Sequence, residues 1–155
     1  MTELLSVQAQ RLNSEGKLLN TESIGRVKTI ILESLDNVAW SSGDVVTSPV
    51  DLPKGTRILG LSIYHSAFGN GSLGFVFLRV PERIDPTRRN LGFLANSINI
   101  VNAGGSDTTG SSNDVFENFD NTTTEISNVA FSLSNAGAIT ANATFKLVVT
   151  VALPG

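Results

Sequence analysis

The sequence predicts an all-β protein: a single-domain, jelly-roll-like β-sandwich with an N-terminal extension. Three observations predict it. From Arg26 onward, short runs of β-branched and apolar residues alternate with clusters of Gly, Asn, Ser, Asp and Pro, the pattern of short strands joined by tight turns. Seven or eight such runs follow one another with turn signals between them, and no long helical period interrupts them. Hydrophobic residues make up 41% of the 155 and charged residues 16%, a balance that supports a packed core and not a disordered chain. A chain of this length buries roughly 68–70% of its unfolded surface, so one domain suffices.

Residues 1–25 (MTELLSVQAQRLNSEGKLLNTESIG) carry Leu4, Leu5, Val7, Leu12, Leu18, Leu19 and Ile24 without a clean period. A short helix can start near Thr2, and Asn13, Ser14 and Gly16 would end it. The segment is either a frayed or edge segment of the domain or an arm whose leucines bury against a neighbouring subunit. Arg26–Leu35 reads as the first long strand, with Val27, Thr29 and Ile31 on one face and Lys28 and Ile30 on the other. Ser41–Asp44 makes a turn, Val45 and Val46 lead to Pro49, and Leu52-Pro53-Lys54-Gly55 turns again. Arg57–Tyr64 is the best core strand, with Leu59, Leu61 and Ile63 forming its apolar face. Gly69-Asn70-Gly71 signals a hairpin that pairs this strand with Leu73–Val80. Pro81 and Pro86 bracket a surface loop. A strand follows around Phe93–Asn102, and the small polar residues Ala103–Asn113 read as a mobile loop. Glu125–Leu133 and Ala143–Leu153 complete the set, the last with Phe145, Leu147, Val149 and Val151 on one buried face.

Composition excludes several kinds of chemistry. With 11 basic residues against 14 acidic ones the net charge is −3, which offers no basic field for nucleic acid. The absence of cysteine removes disulfides, thiolate metal sites and a cysteine nucleophile. Neither a secretion signal nor an apolar run of about 18 residues occurs, so no membrane partner is expected. His65 is the single histidine. It would have to be the base of any Ser-His-Asp arrangement, yet no G-x-S-x-G elbow is present, and a strand-end histidine bonded to a backbone carbonyl is the simpler reading. Asp107, Asp114, Glu117 and Asp120 do not follow calcium-loop spacing, so no cofactor or metal is expected and the chain reads as non-enzymatic.

The one basic concentration is Arg79, Arg83, Arg88 and Arg89, interleaved with Glu82 and Asp85. Residues 1–90 carry ten basic and nine acidic side chains, and residues 91–155 carry one and five, so the two parts differ by +1 against −4. These arginines are either an exposed salt-linked loop or a contact that offers forked donors to an acidic neighbour. Together with Leu4, Leu5, Val7, Leu12, Leu18 and Leu19 they form the candidate protein interface.

Leu52-Pro53-Lys54-Gly55-Thr56-Arg57-Ile58-Leu59-Gly60, then Ser66-Ala67-Phe68-Gly69 and an apolar strand, resembles the turn-strand of small structural proteins of tailed bacteriophages. The close of the chain is similar too: Glu125-Ile126, Phe131-Ser132-Leu133, Ala138-Ile139-Thr140-Ala141 and the strand from Phe145 to Val151. The resemblance spans residues 43–79 and 124–153; the loop Pro81–Asn90 and the first 25 residues have no match in it. It implies a virion component made in the host cytoplasm, a capsid decoration or cement protein on the outer surface of the major capsid protein. It further implies a homo-oligomer, a trimer first and a dimer second. The alternative function is a receptor- or glycan-binding module of a tail, neck or head fibre, with its site around Gly104–Asn118.

Overall fold

A computed structural model describes residues 3–7, 9–10, 22–24, 27–107, 122–135 and 137–154. Its strands are β1 (Glu3–Leu4), β2 (Glu22–Ile24), β3 (Val27–Glu33), β4 (Val45–Thr47), β5 (Arg57–His65), β6 (Leu73–Arg79), β7 (Asn90–Asn99), β8 (Gly104–Asp107), β9 (Asn128–Ser134) and β10 (Phe145–Ala152). Four antiparallel pairs nest inside one another in sequence: β3 with β10, β4 with β9, β5 with β8 and β6 with β7. The described strands from β3 to β10 therefore pair in the order of one long doubled ribbon. Rolling that ribbon sets β10 beside β5 and β9 beside β6. The result is two sheets, β2-β3-β10-β5-β8 and β1-β4-β9-β6-β7. The strands from β3 to β10 in two such sheets make the jelly-roll sandwich that the sequence predicts, and the two short N-terminal strands extend its edges.

The core lies between the sheets, and β10 shows why. Phe145, Leu147, Val149 and Val151 are all buried and pack with Ile30 and Leu32 of β3 and Leu61 and Ile63 of β5, while Lys146 between them is exposed. Val76, Leu78, Val129, Phe131 and Leu133 close the core from the opposite sheet. One end is filled by rings: Phe131 stacks on Phe145 with centroids 4.0 Å apart, and Trp40 meets Phe68 edge-on at 5.5 Å. The Trp40 indole N–H donates to the Ala143 carbonyl at 2.7 Å, which satisfies the one polar atom that the ring carries inside.

Four expectations are corrected. Arg57–Tyr64 and Leu73–Val80 do not form a hairpin, because β5 and β6 lie in opposite sheets. Both strands carry apolar inner faces, and such faces meet across a sandwich core as readily as they sit side by side. The connection crosses the end of the sandwich: Gly69, Asn70 and Gly71 all have positive φ (74°, 51° and 70°), and Phe68, fully buried, anchors the crossing. Leu59 does not share a face with Leu61 and Ile63. The register between β5 and β10 shifts where Thr150 faces Gly60 and Val151 faces Ile58, so Leu59 bulges outward at 44% exposure while Leu61 is 1% exposed. Gly104–Asp107 is an edge strand on β5 and not loop; its pairing is by backbone, which leaves no hydrophobic period to read. At the N-terminus β1 comes first, and a helical turn opens only after Ser6, whose hydroxyl accepts the Ala9 N–H at 2.9 Å as a cap.

Candidate functional site

The N-terminal and arginine candidates meet on the outer face of the β1-β4-β9-β6-β7 sheet. Alternation along β6 turns Phe77 and Arg79 away from the main core, and Phe77 packs there with Val45 and Ala130 in a second, small cluster. Arg79, 7% exposed, lies beyond Phe77 on the same face. Its guanidinium reaches Glu3 of β1 and the Thr47 hydroxyl of β4, each at 3.3 Å. Arg88, which has φ +51°, places its Nη1 at 3.2 Å from the other oxygen of Glu3. One carboxylate thus bridges two guanidinium groups, and among the described residues the Nε atoms of both arginines are buried without a hydrogen-bond partner. Burial first, and the Arg88 charge second, push the Arg79 pKa below its ordinary value, while Glu3 opposes them.

The other two arginines are turned outward and paired. Arg83 bonds Asp51 at 2.6 Å, and Arg89 bridges Asp85 at 3.5 Å and Glu125 at 2.9 Å. The Glu125 contact raises the Arg89 pKa. The Thr87 hydroxyl and then its backbone N–H hold the Asp85 carboxyl below the usual carboxylate range, which fixes the turn after Pro81. The structure therefore divides the sequence's basic cluster: Arg83 and Arg89 stay on the surface, while Arg79 and Arg88 clamp the chain's own N-terminal strand. Glu3, the residue that joins the two candidate regions, was missed in the sequence because nothing local links position 3 to position 79.

Of the N-terminal candidates, Leu4 packs partly against the core, Leu5 is exposed at 49% and Val7 is half-buried. Leu12, Leu18 and Leu19 lie outside the described residues. The same sheet face carries Phe93, 52% exposed, within 6.1 Å of the Phe75 ring and 6.0 Å of Phe77. Its strand β7 is an edge whose register against β6 shifts three times, a geometry that discourages indiscriminate edge pairing.

His65 ends β5 at the opposite sheet. Its Nδ1 lies 3.0 Å from the Ser66 carbonyl, the backbone partner expected of it. An open cleft of about 400 Å³ there is lined by residues that include Glu33, Asp36, Tyr64, His65 and Lys146. The two serines in that cleft are engaged: Ser34 and Ser66 accept the backbone N–H groups of Phe145 and Thr144. Asp107 sits on β8 opposite Ser62, and Asp114, Glu117 and Asp120 lie outside the described residues.

No protein-family model matches this sequence, and no curated protein matches it significantly. Among solved structures, a chain in the capsid of Ralstonia phage GP4 is similar over 99% of both chains, with a TM-score of 0.65 and 14% identity. A chain in the acidic stable capsid of Helicobacter pylori bacteriophage KHP30 has a TM-score of 0.44 at 18% identity over 82% of this chain and 89% of that one. One in the cyanophage Pam1 capsid asymmetric unit has 0.43 at 15% identity over 91% and 96%. The Ralstonia phage chain and this one share the same two-sheet fold from end to end.

Proposed function

We propose that this chain is a structural, non-enzymatic virion protein of a tailed phage, a decoration or cement protein that binds the outer surface of the major capsid protein and stabilises the head. The observation that carries the reading is the end-to-end likeness of fold and length to a chain of a phage capsid, which agrees with the phage-like turn-strand at Leu52–Gly60. A rigid sandwich presents preformed edges and faces, and repetition on a lattice converts weak contacts into strong attachment. The contacts proposed are the N-terminal segment with Leu4, Leu5, Val7, Leu12, Leu18 and Leu19, and the surface arginines Arg83 and Arg89. A trimer is the proposed state, with a dimer second. Deleting residues 1–20 should abolish attachment to capsids lacking this protein while the sandwich stays folded; undiminished attachment would remove the N-terminal contact from the account.

One observation favours a second reading, a receptor- or glycan-binding module. Tyr64 stands 56% exposed at the cleft beside His65, where an aromatic face can stack on a sugar ring. Glycan-array or host-cell binding by the isolated protein, lost in Tyr64→Ala, would favour this reading over the first.

A further inference from the structure

We infer that the clamp formed by Arg79 and Arg88 is an exchange site for the N-terminal strand, which takes Glu3 of a second copy of this chain as well as its own. Three observations carry it. The chain's own strand is held by little: among the described residues β1 pairs with β4 at two positions, Glu3 with Val45 and Leu4 with Val46. The bridge just beyond it, Ser6 to Ser34, is isolated.

The clamp is also incompletely filled. Two guanidinium groups share one carboxylate through contacts of 3.3 and 3.2 Å, long for charge-assisted bonds. Both Nε–H groups are buried and, among the described residues, unused. The Arg79 side chain is 8% exposed and the Arg88 side chain 17%, so both cations are largely withdrawn from solvent. A buried cation with unused donors gains from any carboxylate that approaches in a better fork.

Third, the geometry permits a trans visit. The segment from Glu3 to Gln10 carries the strand, Glu3 and the Ser6 cap together, and eleven residues separate Gln10 from Glu22. At no more than about 3.3–3.6 Å per residue, eleven residues set an upper limit of roughly 36–40 Å on the reach of the segment. In a free molecule the short tether favours the chain's own clamp; where copies are held side by side, the neighbour's clamp competes at high effective concentration. The inference concerns copies of this chain alone and does not rest on the capsid reading.

The test uses the full chain carrying Glu3→Arg, which sets a third cation against Arg79 and Arg88 and vacates the clamp through one exposed substitution. A fluorescent peptide of residues 1–10 is titrated into it, followed by tagged full-length chain carrying Arg79→Gln and Arg88→Gln, whose own clamp no longer holds its Glu3. The expected result is saturable binding of the native peptide, at least tenfold weaker binding of the same peptide with Glu3→Arg, and capture of the tagged chain. No binding, equal binding of the two peptides, or binding of the peptide with no capture of the tagged chain would each overturn the inference. Circular dichroism of both variants confirms the fold, and if Glu3→Arg is unfolded, the same titration into a chain lacking residues 1–5, whose clamp is likewise open, decides by the same peptide ratio.

Discussion

Replacing Leu59 and Leu61 by alanine, one at a time, probes the bulge in β5. In a strand that alternates without interruption, these two residues share a face and their truncations cost alike. Here the register shift against β10 separates them, leaving Leu59 outward and Leu61 in the core. Leu61 is 1% exposed, so Leu61→Ala loses its transfer energy and leaves a cavity, at a cost of about 2–5 kcal/mol. Leu59 is 44% exposed, and Leu59→Ala costs about 1 kcal/mol or less. For a chain of this size each kcal/mol moves the thermal midpoint by roughly 2–4 °C, so Leu61→Ala should fall by roughly 4–20 °C and Leu59→Ala by no more than about 4 °C. Urea unfolding of both variants against wild type, with slopes that do not change, gives the two free energies directly. Equal costs, or a larger one for Leu59, would refute the bulge and the register drawn from it.

Four further outcomes follow from the same geometry. Gly69→Ala should destabilise by about 1–3 kcal/mol, because Gly69 sits at φ +74° and an added Cβ would lie 2.9 Å from the Thr140 hydroxyl; chemical denaturation reads this. Trp40→Phe deletes the bond to the Ala143 carbonyl and should cost about 1–3 kcal/mol in the same assay. Removing residues 146–155 takes away the strand that joins β3 to β5, so the truncated chain should lack a cooperative unfolding transition. The Asp85 carboxyl is held below its ordinary value near 3.8; its support for the turn is full above that pH and is lost as pH falls through the lowered folded value. The protection of the Thr87 amide against exchange, taken relative to the intrinsic rate at each pH, should therefore fall as the pH drops below about 4, and Asp85→Asn should remove that dependence.

How much of this was legible in the sequence varied with the range of the interaction. The strand Phe145–Ala152 was plain because its alternation of large apolar and polar residues is a local signal, and so was the loop bracketed by Pro81 and Pro86. The bulge at Leu59 left only Gly60 as a mark, a lone glycine inside a strand, and Leu59-Gly60-Leu61 otherwise reads as uninterrupted strand. The strand at Gly104–Asp107 was hidden because edge pairing needs only backbone, and Gly-Gly-Ser-Asp has the composition of a loop. Sheet assignment was beyond reach for β5 and β6, whose apolar faces fit either arrangement. The arginine cluster was visible, but its division between surface and clamp depends on Glu3, 76 positions from Arg79.

The most direct measurement of the virion reading is the copy number of this chain in gradient-purified particles from its source, by quantitative mass spectrometry against the major shell protein. The expected result is a ratio near one, or a simple fraction of one, as for a protein spread over the whole lattice. A few copies per particle would move it to the neck, tail or a fibre, and its absence from particles would contradict the virion role itself.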